Sequence, residues 1–345
     1  MRRPPGTAVL LALPILLGCS GGARTGDAGA EGKGEVVLFC SLDPIFSEPI
    51  KEAFERETGI RVRFQTDTEA VKTVGLVNRL IARKDHPEAD VFWNNEIGMT
   101  LVLQEKGVLE AYKPAAAAEI PERFKDPDGW WTGFASRARV ILYNTDLVKP
   151  EDAPKTLADL AAPRFKDRAA ISKPLFGTGF THAAALFETL GPDKAKDWYR
   201  ALKANGVKVA AGNAMARNMV ADGEVAVCVT DTDDANGAFL KNRPVRMIYP
   251  DQDGAGALVL PNSVALIKGG PNPENAKKLI EFLVSRQVEA LLAKSESAQL
   301  PVRPGVEPHG ERFDPAAFKA VEVDWTRLAA RFDEVKTFVQ EELNW

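Results

Sequence analysis

The sequence holds little of what enzyme chemistry usually turns on. Three histidines and three cysteines occur in 345 residues, and no two of them stand at the spacing of a zinc site. No glycine-rich nucleotide loop and no serine-centred elbow is present. His182 stands alone, so a hydrolase would need a nucleophile that the sequence does not display. Basic runs are missing as well. With a formal charge of −4, nucleic acid is a poor partner. Beyond the N-terminal region there is no fixed-period repeat and no long low-complexity segment.

What is present begins with an export signal. "MRRPPGTAVLLALPILLGCS" joins a basic start to a short apolar core and ends in Leu-Leu-Gly-Cys, too short a run for a spanning helix. The tetrapeptide resembles the bacterial lipobox, which implies cleavage after residue 18 and acylation of Cys19. A lipid at Cys19 would tether the protein to the membrane of the cell envelope without spanning it. Residues 19–34 are Gly/Ala-rich and lack large apolar side chains, the composition of a flexible tether. Cys40 and Cys228 lie in apolar strand-like runs and read as small buried residues, with a disulfide permitted by export.

From residue 35 the periodicity alternates between strand and helix. "EVVLFCS", "PIFSEPIKEAFERETG" and "IRVRFQT" predict a strand–helix–strand unit. An amphipathic helix from Thr68, a strand "ADVFWNN" and a helix closing near Gly107 complete one α/β lobe. "RARVILYNT" predicts a strand that crosses between lobes. A second series follows, with the strand "AAIS", helices stopped by Gly191 and Gly206, and a helix then strand in "AGNAMARNMVADGEVAVCVTD". The segment 318–345 is predicted helical. At this length two lobes are expected.

In order and spacing, "EVVLFCSLDPIFSEPIKEAFERETGIRVRF", "ADVFWNNEIG", "ASRARVILYNTDLV", "MVADGEVAVCVTD" and "NSVALIKGGPNPENAKKLIEFLVS" resemble the periplasmic solute-binding proteins of ABC importers, in their ferric-iron-binding branch. The resemblance implies an α/β fold of type II periplasmic-binding-protein architecture, with two lobes, a hinge and a ligand cleft between them. It implies lobe 1 from 35–136 and 251–310, lobe 2 from 137–250 with C-terminal helices 311–345 upon it, a monomer, and delivery of cargo to a membrane permease. The iron branch binds metal through a histidine after the first strand, a glutamate after the "ADVF"-like strand and a tyrosine pair after the later strand. Here those places hold Asp43, then Asn95 and Glu96, then Thr232, Asp233 and Asp234. The tyrosine pair is missing.

The dense acid run "VTDTDDANGAF" frames the site. Ligands of open α/β sheets bind beyond the carboxyl ends of the strands, where Asp43, Asp67, Glu69, Asn95, Glu96, Asp231, Asp233 and Asp234 are all predicted to lie. Oxygen-only groups suit hard cargo ions such as Ca²⁺, Mn²⁺ or Fe³⁺; an organic ammonium, with Trp93, Trp130 or Trp131 as ring faces, suits them too. Asp231, Asp234, Asp67, Asn95 and Glu96 are equally placed to cap helices. Gly177, Thr178 and Gly179 sit at a strand-to-helix turn, where free amides attract phosphate or carbonate. Arg137 and Arg139 alternate on one face of a strand and could complete that anion site, and the resemblance adds Asn213. The expected function is capture of a metal cation with a synergistic anion, the alternative a small organic amine or amino acid-like solute. A sensory lipoprotein docking a receptor in place of a permease would bind the same ligands.

Overall fold

The structure is a computed structural model, and it describes residues 34–66 and 73–345. The proposed signal, Cys19, the tether up to residue 33, Asp67 and Glu69 lie outside the described residues.

The predicted opening unit forms as β1 (Glu35–Cys40), α1 (Pro44–Thr58) and β2 (Arg61–Thr66). Gly59 closes α1 in the left-handed conformation (φ 71°), which glycine adopts without strain. Then come α2 (Val74–Ala82), β3 (Val91–Asn94), α3 (Gly98–Glu105) and a two-residue β4 (Leu109–Glu110). β1 is the parallel neighbour of both β2 and β3.

β5 (Thr132–Asn144) is longer than the periodicity predicted and is buried throughout. A second parallel set follows: β6 (Ala169–Ser172), α4 (Gly177–Thr189), α5 (Pro192–Ala204), β7 (Lys208–Ala210), α6 (Asn213–Ala221), β8 (Val227–Asp231), α7 (Thr232–Leu240) and β9 (Val245–Ile248). β6 lies parallel between β7 and β8. The chain returns through β10 (Val259–Ile267), α8 (Pro273–Leu283) and α9 (Arg286–Lys294).

β5 explains how the two lobes join. Its first half, Thr132–Ala138, pairs antiparallel with β10, which also pairs with β3. Its second half, Arg139–Asn144, pairs with β8 and β9. One strand therefore belongs to both halves, giving the order β2-β1-β3-β10-β5-β8-β6-β7. The crossing is irregular, with a register shift between Pro261 and Asn262 and Ala135 at φ 38°, the kind of local twist that re-aims a strand. Because the parallel strands of each half point toward the crossing, the carboxyl ends of β1, β3, β6, β7 and β8 converge.

One apolar cluster runs through both halves, from Phe39, Phe92 and Leu101 to Ile171, Phe187 and Leu202, and each half adds a smaller one. Leu38, Phe54, Trp93 and Phe134 pack with α8 and α9 residues Leu279 and Leu292, while Val140, Leu142, Val220 and Cys228 pack around β8. Cys40 and Cys228 are buried and are not joined to each other by a disulfide. Trp93 and Trp131 are core residues, because one ring nitrogen does not outweigh so much apolar surface.

The C-terminal segment departs from its expected continuous helix. Only α10 (Trp325–Ala329) and α11 (Phe332–Thr337), continued by a wide turn at Phe338–Glu342, are helical. Residues 319–324 run extended beside Ala257, to which Ala320 is bridged. Phe332, Val335 and Phe338 then pack against α4 residues Phe180 and Phe187. No helix among the described residues is long and apolar enough to cross a membrane.

Candidate functional site

A cavity of about 290 Å³ opens where the strand ends meet. Lobe 1 contributes Leu42, Asp43 and Asn95; lobe 2 contributes Ser172, Lys173, the Phe176–Gly179 turn, the Ala211–Ala214 turn, Asp233 and Asp234, with Arg137 from the crossing strand.

Two helices begin at this cavity without side-chain caps. Phe176 precedes α4 and Gly212 precedes α6, and neither start accepts a capping side chain. Among the described residues the first-turn amides of Gly177, Thr178 and Gly179 have no backbone acceptor; the first bond back is from Phe180 N to Phe176 O, 3.2 Å. Gly177 at φ 50° and a Gly179 Cα packed within reach of the Ser172 hydroxyl bring this turn close to β6. Ser172 Oγ is itself buried with no hydrogen-bond partner among the described residues. Lys173 adds a cation. Unpaired amides at two helix starts, a hydroxyl and an ammonium make one wall receptive to an oxyanion.

The acidic wall comes from β8 and the first turn of α7. Carboxylate oxygens of Asp231, Asp233 and Asp234 lie within 4.8 Å of one another. Asp231 is fully buried and saturated: Oδ1 accepts from Arg139 Nη1 at 2.7 Å, and Oδ2 accepts from Thr178 Oγ1 at 2.7 Å and Asn213 Nδ2 at 2.8 Å. Arg139 is the cross-strand partner of Asp231 in the β5–β8 register, which sets this pair before any ligand arrives. Arg137 Nη1 reaches Asp233 Oδ2 at 3.2 Å, and its Nη2 donates to the carbonyl of Asn95 at 2.5 Å. Asp234 accepts from Thr230 Oγ1 at 3.1 Å. Of the three, Asp233 and Asp234 keep some exposure, 18% and 15% of their side chains.

The electrostatics follow from that pairing. Burial works to raise Asp231, but Arg139 and Arg137 overcome it and hold the carboxyl below its ordinary range. Burial raises Asp233, which Arg137 only partly offsets. Burial and then the neighbouring Asp233 and Asp231 push Asp234 up to about 7. For Arg137, burial is opposed by Asp233 and Asp231, which keep it charged and above its ordinary value.

The expected site residues thus divide. Asp43, Asn95, Asp233, Asp234, Arg137, Gly177, Thr178, Gly179 and Asn213 line the cavity. Asp231 and Arg139 do not; each neutralises the other behind the wall. Glu96 also stands apart, fully buried, with its carboxylate accepting from Met99 N (3.0 Å), Gly98 N, Asn94 Nδ2 and Thr181 Oγ1 (2.6 Å). It caps the start of α3 and ties lobe 1 to α4. His182 does not line this cavity but another one. Ser172, Lys173, Phe176 and Gly212 were not anticipated, although β6 and β7 end there and the strand-end rule applied to them would have found all four.

Two α/β lobes sharing crossing strands, with a polar cavity built from the strand ends of both, define a periplasmic-type solute-binding protein. The profile described as bacterial extracellular solute-binding protein matches residues 89–329, and this chain belongs to that family. Among relatives, the iron uptake protein A1 of Synechocystis sp. is 30% identical over 284 residues, spanning 79% of this chain and 77% of that protein. A periplasmic protein of Salmonella paratyphi A named for 2-aminoethylphosphonate binding is 28% identical over 271 residues, spanning 77% and 76%. The ferric binding protein from Campylobacter jejuni superposes with a TM-score of 0.79 at 24% identity, covering 89% of this chain and 98% of its own. These are binding proteins, not enzymes.

Proposed function

We propose that this chain is the extracytoplasmic receptor of an ABC importer that captures a hard cation together with a small oxyanion in the cavity between its lobes and hands them to a membrane permease. The observation that carries this reading is that Asp233, Asp234 and two uncapped helix starts line one and the same cavity. Relatives named for iron support it. With Asp231 saturated, Asp233, Asp234 and waters would hold the cation, and the α4 and α6 amides with Lys173 the anion. Cargo touching both lobes favours the closed arrangement, since only differential affinity shifts such an equilibrium.

One observation favours a second cargo. Arg137, Arg139 and Arg217 stand against the three carboxylates, so the cluster carries little net negative charge, and the raised Asp234 reduces it further near neutral pH. That matches a single ammonium better than a trivalent ion. An amine-bearing phosphonate places its cation at Asp233 and Asp234 and its oxyanion at the helix starts, consistent with the relative named for 2-aminoethylphosphonate.

A thermal-shift screen separates the two. At 100 times Kd a ligand adds about 2.7 kcal/mol. Stabilisation by Fe³⁺ supplied as citrate, Mn²⁺ or Ca²⁺, enhanced by phosphate, supports the first reading. A shift with 2-aminoethylphosphonate alone supports the second, and silence to all sinks both. Anchoring through Cys19 belongs to the same reading, and Cys19→Ser should move the protein from the membrane fraction to the soluble one.

A further inference from the structure

A second cavity, of about 340 Å³, lies between α4, α5 and the loop that joins β9 to β10, and it shares no lining residue with the first. Leu157, Leu186, Trp198, Pro250 and Leu258 make its walls largely apolar. Four ionisable residues break that surface: Arg139, His182, Lys194 and Asp251.

His182 and Lys194 are the donors among them, with Asp251 set against Lys194. His182 is 4% exposed, packs edge-on against Trp198 with ring centroids 6.4 Å apart, and forms no hydrogen bond among the described residues. Burial and then the charge of Arg139 hold it down at about 3, so the ring is neutral and offers one N–H donor. Arg139 Nε has no partner among the described residues. Lys194 stands at the exposed edge of the cavity. The opposing group, Asp251, is raised by burial and accepts from Leu157 N at 3.4 Å. With no protein partner among the described residues, the imidazole N–H is left to meet whatever occupies the cavity that it lines.

We propose that this cavity is a second small-molecule site, separate from the cargo cleft, that takes a small amphiphilic monocarboxylate. The apolar chain lies along Leu186, Leu258 and Trp198, and the carboxylate is held by the His182 N–H and the Lys194 ammonium. Removal of the chain from water supplies the drive, and the two donors select the acid over an amine of the same length.

Hexanoate, hexylamine and inorganic phosphate are the probes, titrated into the full chain and followed by calorimetry and by the His182 imidazole NMR signals. Hexanoate should saturate one site and shift the His182 signals, with hexylamine weaker by about tenfold or more. Phosphate should not displace it, which separates this site from the cleft. Lys194→Glu, an exposed change that leaves packing alone, should weaken hexanoate by about tenfold, and Leu190→Trp at the mouth should abolish binding. No saturable binding, equal binding of hexylamine, displacement by phosphate, or unchanged affinity in Lys194→Glu would each overturn the proposal.

Discussion

Arg139 and Asp231 face each other across neighbouring strands, Nη1 to Oδ1 at 2.7 Å, with 2% and 0% of their side chains exposed. The pair is structural support for the cargo wall. Arg139→Leu leaves a buried carboxylate without its main partner and should cost about 3–5 kcal/mol. Replacing both by leucine should recover most of that loss. Urea unfolding of the two variants and the wild type decides it; a cost under about 1 kcal/mol for the single change would refute the assignment.

Asp234 sets the pH response. Its folded value near 7 lies above the ordinary carboxylate value, so the folded state holds the proton more tightly. Stability from this group is complete in acid, below about pH 4, and is lost as pH rises toward 7. Asp233 shifts in the same direction, and Asp231, shifted down, acts only in stronger acid. Asp234→Asn should therefore stabilise the unliganded protein near pH 8 by on the order of 1–2 kcal/mol, with little effect near pH 5. Thermal melts across this range check it, and a gain of equal size at both ends contradicts it.

Binding of a cation carries the opposite pH dependence. Asp234 must lose its proton to meet a metal or an ammonium, so affinity should rise as pH climbs toward 7, by up to about tenfold per unit. Calorimetry in buffers of different ionisation enthalpy should show proton release, absent in Asp234→Asn. Affinity independent of pH would remove Asp234 from the site.

Gly179 ties the anion wall to β6. A Cβ there would meet Ser172 Oγ at 2.7 Å and the Lys173 carbonyl at 3.0 Å. Gly179→Ala should cost about 1–3 kcal/mol of stability and weaken phosphate binding by displacing the α4 amides. Gly212→Ala, where a Cβ would meet nothing within 4 Å, is the matched control. Equal phosphate affinity in both variants would show that the α4 turn is not part of the site.

Glu96 and Thr181 join the lobes through one buried bond of 2.6 Å. Thr181→Val keeps the shape and removes the donor to a buried carboxylate, for a loss of about 1.5–3 kcal/mol. Small-angle scattering of that variant should show a more open average, and an unchanged profile would mean that other contacts hold the lobes together.

The alternating pattern of strands and helices was legible because parallel strands buried on both faces read as apolar runs, as in "EVVLFC" and "VAVCV". The strand-end rule brought Asp43, Asn95, Asp233 and Asp234 to one cavity for the same reason. Roles within the cluster were not legible. Alternation puts Arg137 and Arg139 on one face, but only the β5–β8 register places Arg139 opposite Asp231 and turns a presumed anion ligand into a neutralising partner. Glu96 was read as a ligand because it follows β3; the amides of Gly98 and Met99 and a hydroxyl from a helix 85 residues away claim it. The end of the chain lost its expected helix at 319–324, where pairing with Ala257 outweighs local propensity.

The central claim is that Asp233 and Asp234 hold the cationic part of the cargo while the α4 and α6 starts hold the anionic part. Parallel calorimetric titrations of ferric citrate, 2-aminoethylphosphonate and inorganic phosphate into the wild type and the Asp233→Asn, Asp234→Asn double variant test it most directly. The account predicts that one of the first two binds the wild type and weakens by about a hundredfold or more in the variant, while phosphate binds both alike. Undiminished binding of the charged cargo by the double variant would contradict it.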